Sequence, residues 1–266
     1  MNDNFWLAFG LTVLAGLSTG IGSLIALLAK KTNTRFLAIS LGFSAGVMIY
    51  VSMTEIFFKA QQSLQGVLGE KQGSIATVVA FFAGMFIIGV IDNLIPQKNN
   101  PHEVKKVETD PTSPDKEGQL MRTGLFTALA LAIHNFPEGM ATFVSALHEP
   151  SLAIPIALAI ALHNIPEGIA VSVPIFYATG DKKKAFLYSF ASGLAEPIGA
   201  ILGYFLLMPF MSNIVYGLLF AGVAGIMVFI SLDELLPSSR EYGDHHLSIY
   251  GLMGGMVFMA ISLLVL

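Results

Sequence analysis

The sequence lacks cysteine and is poor in charge. None of its 266 residues is cysteine, which excludes a disulfide-stapled fold and any thiolate metal site. Charged residues make up only 12% of the chain, whereas soluble domains carry about 25%. With 14 basic against 18 acidic residues, there is no basic surface to neutralise nucleic-acid phosphates. The 54% of hydrophobic residues argues equally against a disordered chain, which needs low hydrophobicity and high net charge.

The apolar residues form runs long enough to cross a membrane. A transmembrane helix needs about 20 mostly apolar residues, and most of these runs are joined by short connections. The first run lacks a basic leading segment and a small-residue cleavage site, so we do not interpret it as a signal peptide. We predict one all-α polytopic membrane domain over 1–266 with eight spans, at about 5–29, 35–58, 75–95, 122–146, 151–177, 185–208, 213–236 and 247–266.

One connection is long and polar, and the basic residues lie mostly on one side of the predicted membrane. The segment 96–121 is rich in Pro, Asn, Lys, Glu and Asp, a composition that predicts a flexible loop. Twelve of the 14 Lys and Arg residues follow spans 1, 3, 5 and 7, and the other two are Lys59 and Lys71. Because basic residues are retained on the cytoplasmic face, we expect this loop in the cytoplasm and both chain termini outside.

The motif HN-x-PEG occurs twice. LALAIHNFPEGMA at 129–141 and LAIALHNIPEGIA at 158–170 agree at nine of thirteen positions. His134 and Glu138 are four residues apart in the first copy, a spacing that places two side chains on one helix face. The intervening proline removes a backbone hydrogen bond, which a membrane span tolerates beside protein or a water-filled cavity. Imidazole and carboxylate without thiolate suit Zn²⁺, Fe²⁺ and Mn²⁺. The two copies therefore predict a metal site lined by His134, Asn135, Glu138, His163, Asn164 and Glu167.

Two further self-similarities extend the repeat. AGVMIYVSMTEIFF at 45–58 pairs with AGIMVFISLDELLP at 224–237, and IGSLIA at 21–26 pairs more weakly with IGAILG at 198–203. Together the pairings relate spans 1–3 to spans 6–8 and span 4 to span 5, with the members of each pair crossing the membrane in opposite directions. Inverted repeats of this kind are typical of secondary transporters with a site near the membrane midplane.

Span 6 contributes one more acidic residue, Glu196 in SGLAEPIGA. A charged group at the bilayer centre costs at least about 2.5–3.5 kcal/mol, so we favour a metal ligand over a protonated carboxyl hydrogen-bonded between helices. For the remaining ionisable residues near span ends and in loops, a place on the metal path and an ordinary solvated position both stay open. These residues are Glu55, Asp92, His102, His148, Glu149, Asp233, Glu234, His245 and His246.

The paired HNFPEG and HNIPEG motifs, Glu196, the eight spans and the polar loop after span 3 resemble the ZIP (Zrt/Irt-like) metal transporters over essentially the whole chain. Within that family the bacterial ZupT-type zinc transporters are the most similar group. The resemblance implies a transporter rather than an enzyme, without a cofactor, in a bacterial inner membrane. Its substrate would be a divalent metal ion, zinc first, with Fe²⁺, Mn²⁺, Co²⁺ and Cd²⁺ as further candidates. The implied partners are this ion and the lipid bilayer, with no nucleic acid and with a homodimer left open.

The family pattern also implies two adjacent metal positions and a moving bundle of helices. One position would use His134, Glu138, His163 and Glu167. The other would use Asn135, Glu138, Asn164, Glu167 and Glu196, with both glutamates bridging. Spans 1, 4, 5 and 6 would move against spans 2, 3, 7 and 8.

Three other classes of protein compete with this interpretation. A Ca²⁺ or Na⁺ exchanger can also carry inverted repeats, but its all-oxygen sites gain little from histidine. An intramembrane metalloprotease needs a glutamate beside the first histidine, as in H-E-x-x-H, and here Asn135 and Asn164 stand in that place. A purely structural membrane protein leaves the buried acids unexplained.

Overall fold

The computed structural model describes residues 4–28, 34–94, 116–148, 150–242 and 245–265. Within these ranges the regular structure is helical throughout, and two short π-helical segments interrupt long helices. The α-helices are α1 Phe5–Leu28, α2 Thr34–Val51, α3 Phe57–Leu68, α4 Glu70–Leu94, α5 Lys116–His148, α6 Pro150–Thr179, α7 Lys182–Gly193, α8 Ala195–Leu207, α9 Asn213–Ile230, α10 Leu236–Tyr242 and α11 His245–Val265. The π-helical segments are Ser52–Ile56 and Ser231–Leu235.

The all-α polytopic membrane architecture is confirmed. Seven helical stretches in the described ranges are long and apolar enough to cross a membrane. The eighth long helix, α5, has 33 residues and begins with the polar sequence KEGQ. α7 and α8 together form one of the seven stretches, with a break at Leu194.

Several helices are longer than the apolar spans within them. The second runs on through a π-helical segment into α3, as one 34-residue stretch that ends at Leu68, although its predicted span ends at residue 58. These last turns are amphipathic and bury Ala60 and Leu64, so packing keeps them helical where hydropathy falls. Only Gly69, with a φ of 84° that favours glycine, separates α3 from α4. Likewise α5 begins at Lys116, inside the predicted loop 96–121, whose residues 96–115 lie outside the described part of the chain.

Close glycine contacts divide the helices into two groups. In the first group, which we call the motif bundle, α1, α5, α6, α7 and α8 pack on one another. In the second, the outer bundle, α2, α3, α4, α9 and α11 do so. For every glycine in the described ranges that approaches another helix closely, the nearest atoms belong to its own group. Since glycine permits backbone-to-backbone packing in membranes, the motif bundle is one tightly packed body. In the outer bundle such contacts join α2 to α11, and separately α3, α4 and α9 to one another, and the continuous helix of α2 and α3 connects the two sets.

The contacts within the two bundles match the sequence repeat. Gly22 packs on the Ile165 carbonyl, and the repeat-equivalent Gly199 packs on the carbonyl of Phe136. In the outer bundle the corresponding pair is Gly46 on Leu252 and Gly225 on Phe81. The π-helical segments also fall at equivalent places in the aligned sequences 45–58 and 224–237. That the two halves cross a membrane in opposite directions stays a prediction.

The seam between the two bundles is packed differently. Ser44 of α2 donates a hydrogen bond across it to the His163 carbonyl oxygen of α6, over 3.2 Å. An apolar surface groove of about 540 Å³, open to the outside, runs along the seam where α1 and α6 of the motif bundle face α11 of the outer bundle. Its wall includes Leu14, Leu162 and Phe258. Along this groove the seam is therefore formed by side chains, and the glycine-to-backbone contacts of the described residues lie within the bundles.

Candidate metal centre

The structure brings the predicted ligand residues together inside the motif bundle. α5 supplies three of them, α6 supplies three and α8 supplies one. Each is at most 2% exposed, although all are polar or ionisable. The seven residues are His134, Asn135, Glu138, His163, Asn164, Glu167 and Glu196.

The histidines and glutamates of the two motifs face each other across α5 and α6. The Nε2 atom of His163 lies 2.9 Å from Oε1 of Glu138, and Nε2 of His134 lies 3.5 Å from Oε1 of Glu167. Within α5, His134 Nε2 is 3.9 Å from Glu138 Oε2. Each helix thus offers its glutamate to the histidine of the other, as expected for two copies of one motif packed face to face.

The glycine that ends each motif allows one neighbouring helix to pack closely against the motif. A Cβ atom at Gly139 would collide with the backbone of Glu196, and one at Gly168 would collide with the backbone of Thr19. The PEG sequence therefore does two things in each copy. Its glutamate enters the site, and its glycine allows α8 or α1 to approach closely enough to complete the wall.

The two motif asparagines are held by hydrogen bonds to neighbouring helices. Asn164 Nδ2 donates to the Ala15 carbonyl oxygen of α1 over 3.0 Å and also contacts Oε1 of Glu196. Asn135 Nδ2 donates to the Ser192 carbonyl oxygen of α7 over 3.3 Å. Because each amide nitrogen is engaged in this way, each Oδ1 atom is the end left for a ligand. Within the described residues, neither Oδ1 has a hydrogen-bond partner.

Unsatisfied polar atoms are concentrated at this site. In the described part of the chain, eleven buried side-chain nitrogen and oxygen atoms of the seven residues above lack a hydrogen bond of ordinary geometry, although some of them, such as His163 Nε2 and Glu138 Oε1, lie close to one another. Buried polar groups are almost always paired, because an unpaired one costs free energy. No three His, Asp or Glu residues among those described already form a closed metal site; the side chains pair with one another. Their imidazole, carboxylate and amide donors suit a divalent transition metal that replaces those contacts.

The ionisable residues left open in the sequence fall in several environments. Glu55 lies half-buried on the first π-helical segment and pairs with Lys59 over 3.0 Å, so its carboxylate has a cation of its own. Glu234 lies on the second π-helical segment, is only 6% exposed and interacts electrostatically with His134. His245 and His246 are exposed at the start of α11. The structure leaves Asp92 half-buried near the end of α4 and Asp233 half-buried beside Glu234.

Three of the open positions cannot be placed. His102 and Glu149 lie outside the described residues, and His148 is described only as the last residue of α5.

Sequence reasoning missed the backbone groups that orient the asparagines. The carbonyls of Ala15 and Ser192 accept the two amide hydrogen bonds, yet neither residue type points to a site. The signal was present in the weak pairing of 21–26 with 198–203. Extended towards the N-terminus at the same offset, this alignment pairs Ala15 with Ser192 and Thr19 with Glu196.

The fold and the site together define a multi-pass membrane protein with a buried His–Glu–Asn centre. The sequence profile described as "ZIP Zinc transporter" matches residues 92–263. The chain belongs to this family, and is therefore a transporter rather than an enzyme.

Relatives extend the match over the whole chain. Proteins named zinc transporter ZupT are 65% identical in Oceanobacillus iheyensis and 66% identical in Streptococcus mutans, with 99% of each chain covered in both cases. One with the same name in Lysinibacillus sphaericus is 60% identical over the full length of both chains. None of these relatives supports the exchanger or the metalloprotease interpretation.

Proposed function

We propose that this protein carries divalent metal ions, zinc first, through the membrane into the cytoplasm. The observation that carries the proposal is the reciprocal pairing of His163 with Glu138 and of His134 with Glu167 across two buried helices. Two carboxylates offset the charge of a divalent ion, and two imidazoles select a transition metal over Ca²⁺ or Mg²⁺. The names of the relatives, all zinc transporters, agree with this donor set.

The donor atoms of the centre are numerous and varied enough for two adjacent metal positions. The histidine–glutamate pairs supply the first, which is rich in nitrogen and suits Zn²⁺. The second uses Asn135, Asn164 and Glu196 with the bridging Glu138 and Glu167, and its donors are all oxygen. Contact between Asn164 and Glu196 supports this grouping. The oxygen-rich position is expected to accept Fe²⁺ and Mn²⁺ more readily than the first.

The direction of import rests on the distribution of basic residues, and side-chain contacts support it. Lys182, at the start of α7, donates to the Leu27 carbonyl oxygen at the end of α1 over 2.7 Å. The connections that follow α1 and α6 therefore lie on one face of the molecule, as the count of Lys and Arg requires. We assign that face to the cytoplasm of a bacterial inner membrane, with both termini on the periplasmic side.

Transport by alternating access would use the seam. The motif bundle holds all seven candidate ligands, so its movement against the outer bundle would carry the metal ion as cargo. Backbone packing through glycine supports movement of the motif bundle as one rigid unit. Along the apolar groove the interface with the outer bundle is formed by side chains, and such an interface can slide at lower cost than one of interlocked backbones.

The proposal is tested by zinc uptake into metal-starved cells that lack other zinc importers. Glu138→Gln and Glu167→Gln keep the shape of each side chain and remove its charge, so uptake is expected to fall at least tenfold. Glu70→Gln is the matched control, since Glu70 is exposed at the start of α4, and it is expected to transport normally. If both the Glu138→Gln and the Glu167→Gln variants took up zinc at the wild-type rate, the assignment of the site would be refuted.

A further inference from the structure

The hydroxyl of Thr19 behaves unlike the other helical threonines. A threonine in a helix commonly donates to the carbonyl one turn earlier. Each of the other threonines with a described side chain makes this bond: Thr12 to Ala8, Thr54 to Tyr50, Thr77 to Gly73, Thr142 to Glu138 and Thr179 to Ile175. Thr19 is fully buried, and within the described residues its Oγ1 atom has no hydrogen-bond partner.

Thr19 contacts two glycines that lie next to residues of the candidate centre. The backbone of Thr19 packs on Gly168, the residue that follows Glu167. A Cβ atom at Gly193 of α7 would lie 2.9 Å from Thr19 Oγ1. Gly193 in turn follows Ser192, whose carbonyl oxygen holds the amide of Asn135. Thr19 Oγ1 therefore lies on the side of the centre where Asn135 is anchored.

The repeat gives this position a counterpart. Asn164 is tied to the Ala15 carbonyl, and beside it stands Glu196. In the other half Asn135 is tied to Ser192, the equivalent of Ala15. The residue equivalent to Glu196 is Thr19, and both pack on the glycine of a PEG motif. Thr19 thus occupies, on the Asn135 side, the place that a carboxylate occupies on the Asn164 side.

We propose that Thr19 Oγ1 is an additional oxygen donor of the metal centre, contacting the ion or its bound water on the Asn135 side. This inference rests on the proposed function. A neutral hydroxyl in this place keeps the number of carboxylates among the candidate ligands at three, where a symmetric set would have four. The added charge of a fourth carboxylate would hold a divalent ion more tightly and slow its release. Thr19 therefore sets both the coordination and the charge asymmetry of the site.

The experiment measures zinc and manganese binding to the purified full-length protein, together with uptake into cells. Thr19→Val keeps the side-chain shape and removes the oxygen, and affinity for metal is expected to fall about tenfold. Thr19→Ser is expected to retain wild-type affinity, and Thr19→Glu to bind more tightly while transporting more slowly. Thr12→Val is the matched control, since Thr12 lies on the same helix and is equally buried, with its hydroxyl bonded to Ala8.

Measuring thermal unfolding distinguishes two possible roles of the Thr19 hydroxyl, that of a metal ligand and that of a group needed for folding. Replacing an unpartnered buried hydroxyl by a methyl group leaves stability unchanged or raises it, so Thr19→Val should fold as well as the wild type. Thr19→Ala serves in its place should the valine variant fail to fold. The inference is overturned by wild-type metal affinity in the folded variant. Glu138→Gln is measured in the same series to keep this outcome distinct from failure of the proposed function. If the proposed function fails, the wild type itself binds and transports no zinc. If only the inference about Thr19 fails, the wild type binds zinc, Glu138→Gln binds it weakly, and Thr19→Val binds it as the wild type does.

Discussion

The side-chain amide of Asn164 donates to the Ala15 carbonyl oxygen over 3.0 Å and ties α6 to α1 at the level of the metal centre. The same amide contacts the carboxylate of Glu196, so a single nitrogen fixes the relative positions of three helices. The hydrogen bond also settles which end of the amide faces the centre. The orientation of Asn164 is therefore a property of the backbone of α1 as much as of the motif that contains it.

Replacing Asn164 by leucine is expected to weaken both folding and metal binding. Leucine has a similar volume and no polar group, so Glu196 loses a buried donor and the centre loses an oxygen. A hydrogen bond to a charged group contributes about 1.5–3 kcal/mol, and the free energy of unfolding should fall by about this amount. Chemical denaturation and zinc titration of the same preparation measure the two effects. Wild-type stability in this variant would show that the hydrogen bond to Ala15 does not hold α1 in place.

Zinc binding is expected to weaken in acid while the metal-free protein stays folded. Metal ligands must be deprotonated, so protons compete with zinc for His134 and His163. In the absence of metal, a protonated imidazole still finds a carboxylate across the helix pair, so the packing of α5 on α6 persists. Between pH 7.5 and about 5.5 we expect zinc affinity to fall about tenfold or more, and calorimetry at each pH checks it.

His245→Ala, which removes an exposed imidazole at the start of α11, is the control for this pH dependence. Its profile should superimpose on that of the wild type. A flat affinity profile in the wild type would mean that the histidines do not bind the ion.

Gly139→Ala is expected to disrupt the molecule far more than the same change at Gly254. An added methyl group at Gly139 meets the backbone of Glu196, which cannot move aside, and overpacking of this kind costs about 1–3 kcal/mol. No atom lies near the corresponding position at Gly254 in α11. Detergent-solubilised stability and zinc uptake should drop together for the first variant and stay near wild-type values for the second. Equal behaviour of the two would argue that α8 does not pack on α5 as described.

The orientation can be measured with single introduced cysteines, because the chain has none to remove. Lys71 and Lys183 are both exposed, in the first turns of α4 and α7, and the predicted alternation of the spans places them on opposite faces of the membrane. With the cytoplasmic face assigned as above, Lys71→Cys reacts with a membrane-impermeant maleimide in intact spheroplasts. Lys183→Cys reacts only after the membrane is permeabilised. The reverse pattern would invert the assignment of both termini and the proposed direction of transport.

That the six motif residues lie together could be predicted from the sequence because local spacing decides it, whereas Glu196 was favoured only as an acid within a span; that these residues bind metal stays a prediction. A histidine and a glutamate four residues apart share a helix face wherever the helix lies, and a second copy supplies the opposing face. The carbonyls of Ala15 and Ser192 could not be predicted in this way. Every residue has a carbonyl, and only the approach of one helix to another makes a particular one available.

Helix ends show the same division between local and tertiary causes. Hydropathy located the apolar part of the second helix but not its continuation to Leu68, since Ala60 and Leu64 are buried against neighbouring helices. Gly69 was likewise hidden, because a positive φ matters only once the turn it serves is known. The break at Leu194 between α7 and α8 had a visible cause in Pro197, which cannot donate to the carbonyl of Gly193.

The glycine contacts within the bundles determine which positions of this sequence can be substituted. A glycine that touches a neighbouring backbone admits no replacement, so those positions constrain the chain against drift. The seam has no such contact among the described residues, and the wall of its apolar groove tolerates exchange of one aliphatic side chain for another. Under the proposed alternating access, substitutions in this wall would change the speed of movement while the glycine-to-backbone contacts around the candidate ligands stay in place. The rate of transport and the choice of substrate would then depend on different parts of the same molecule.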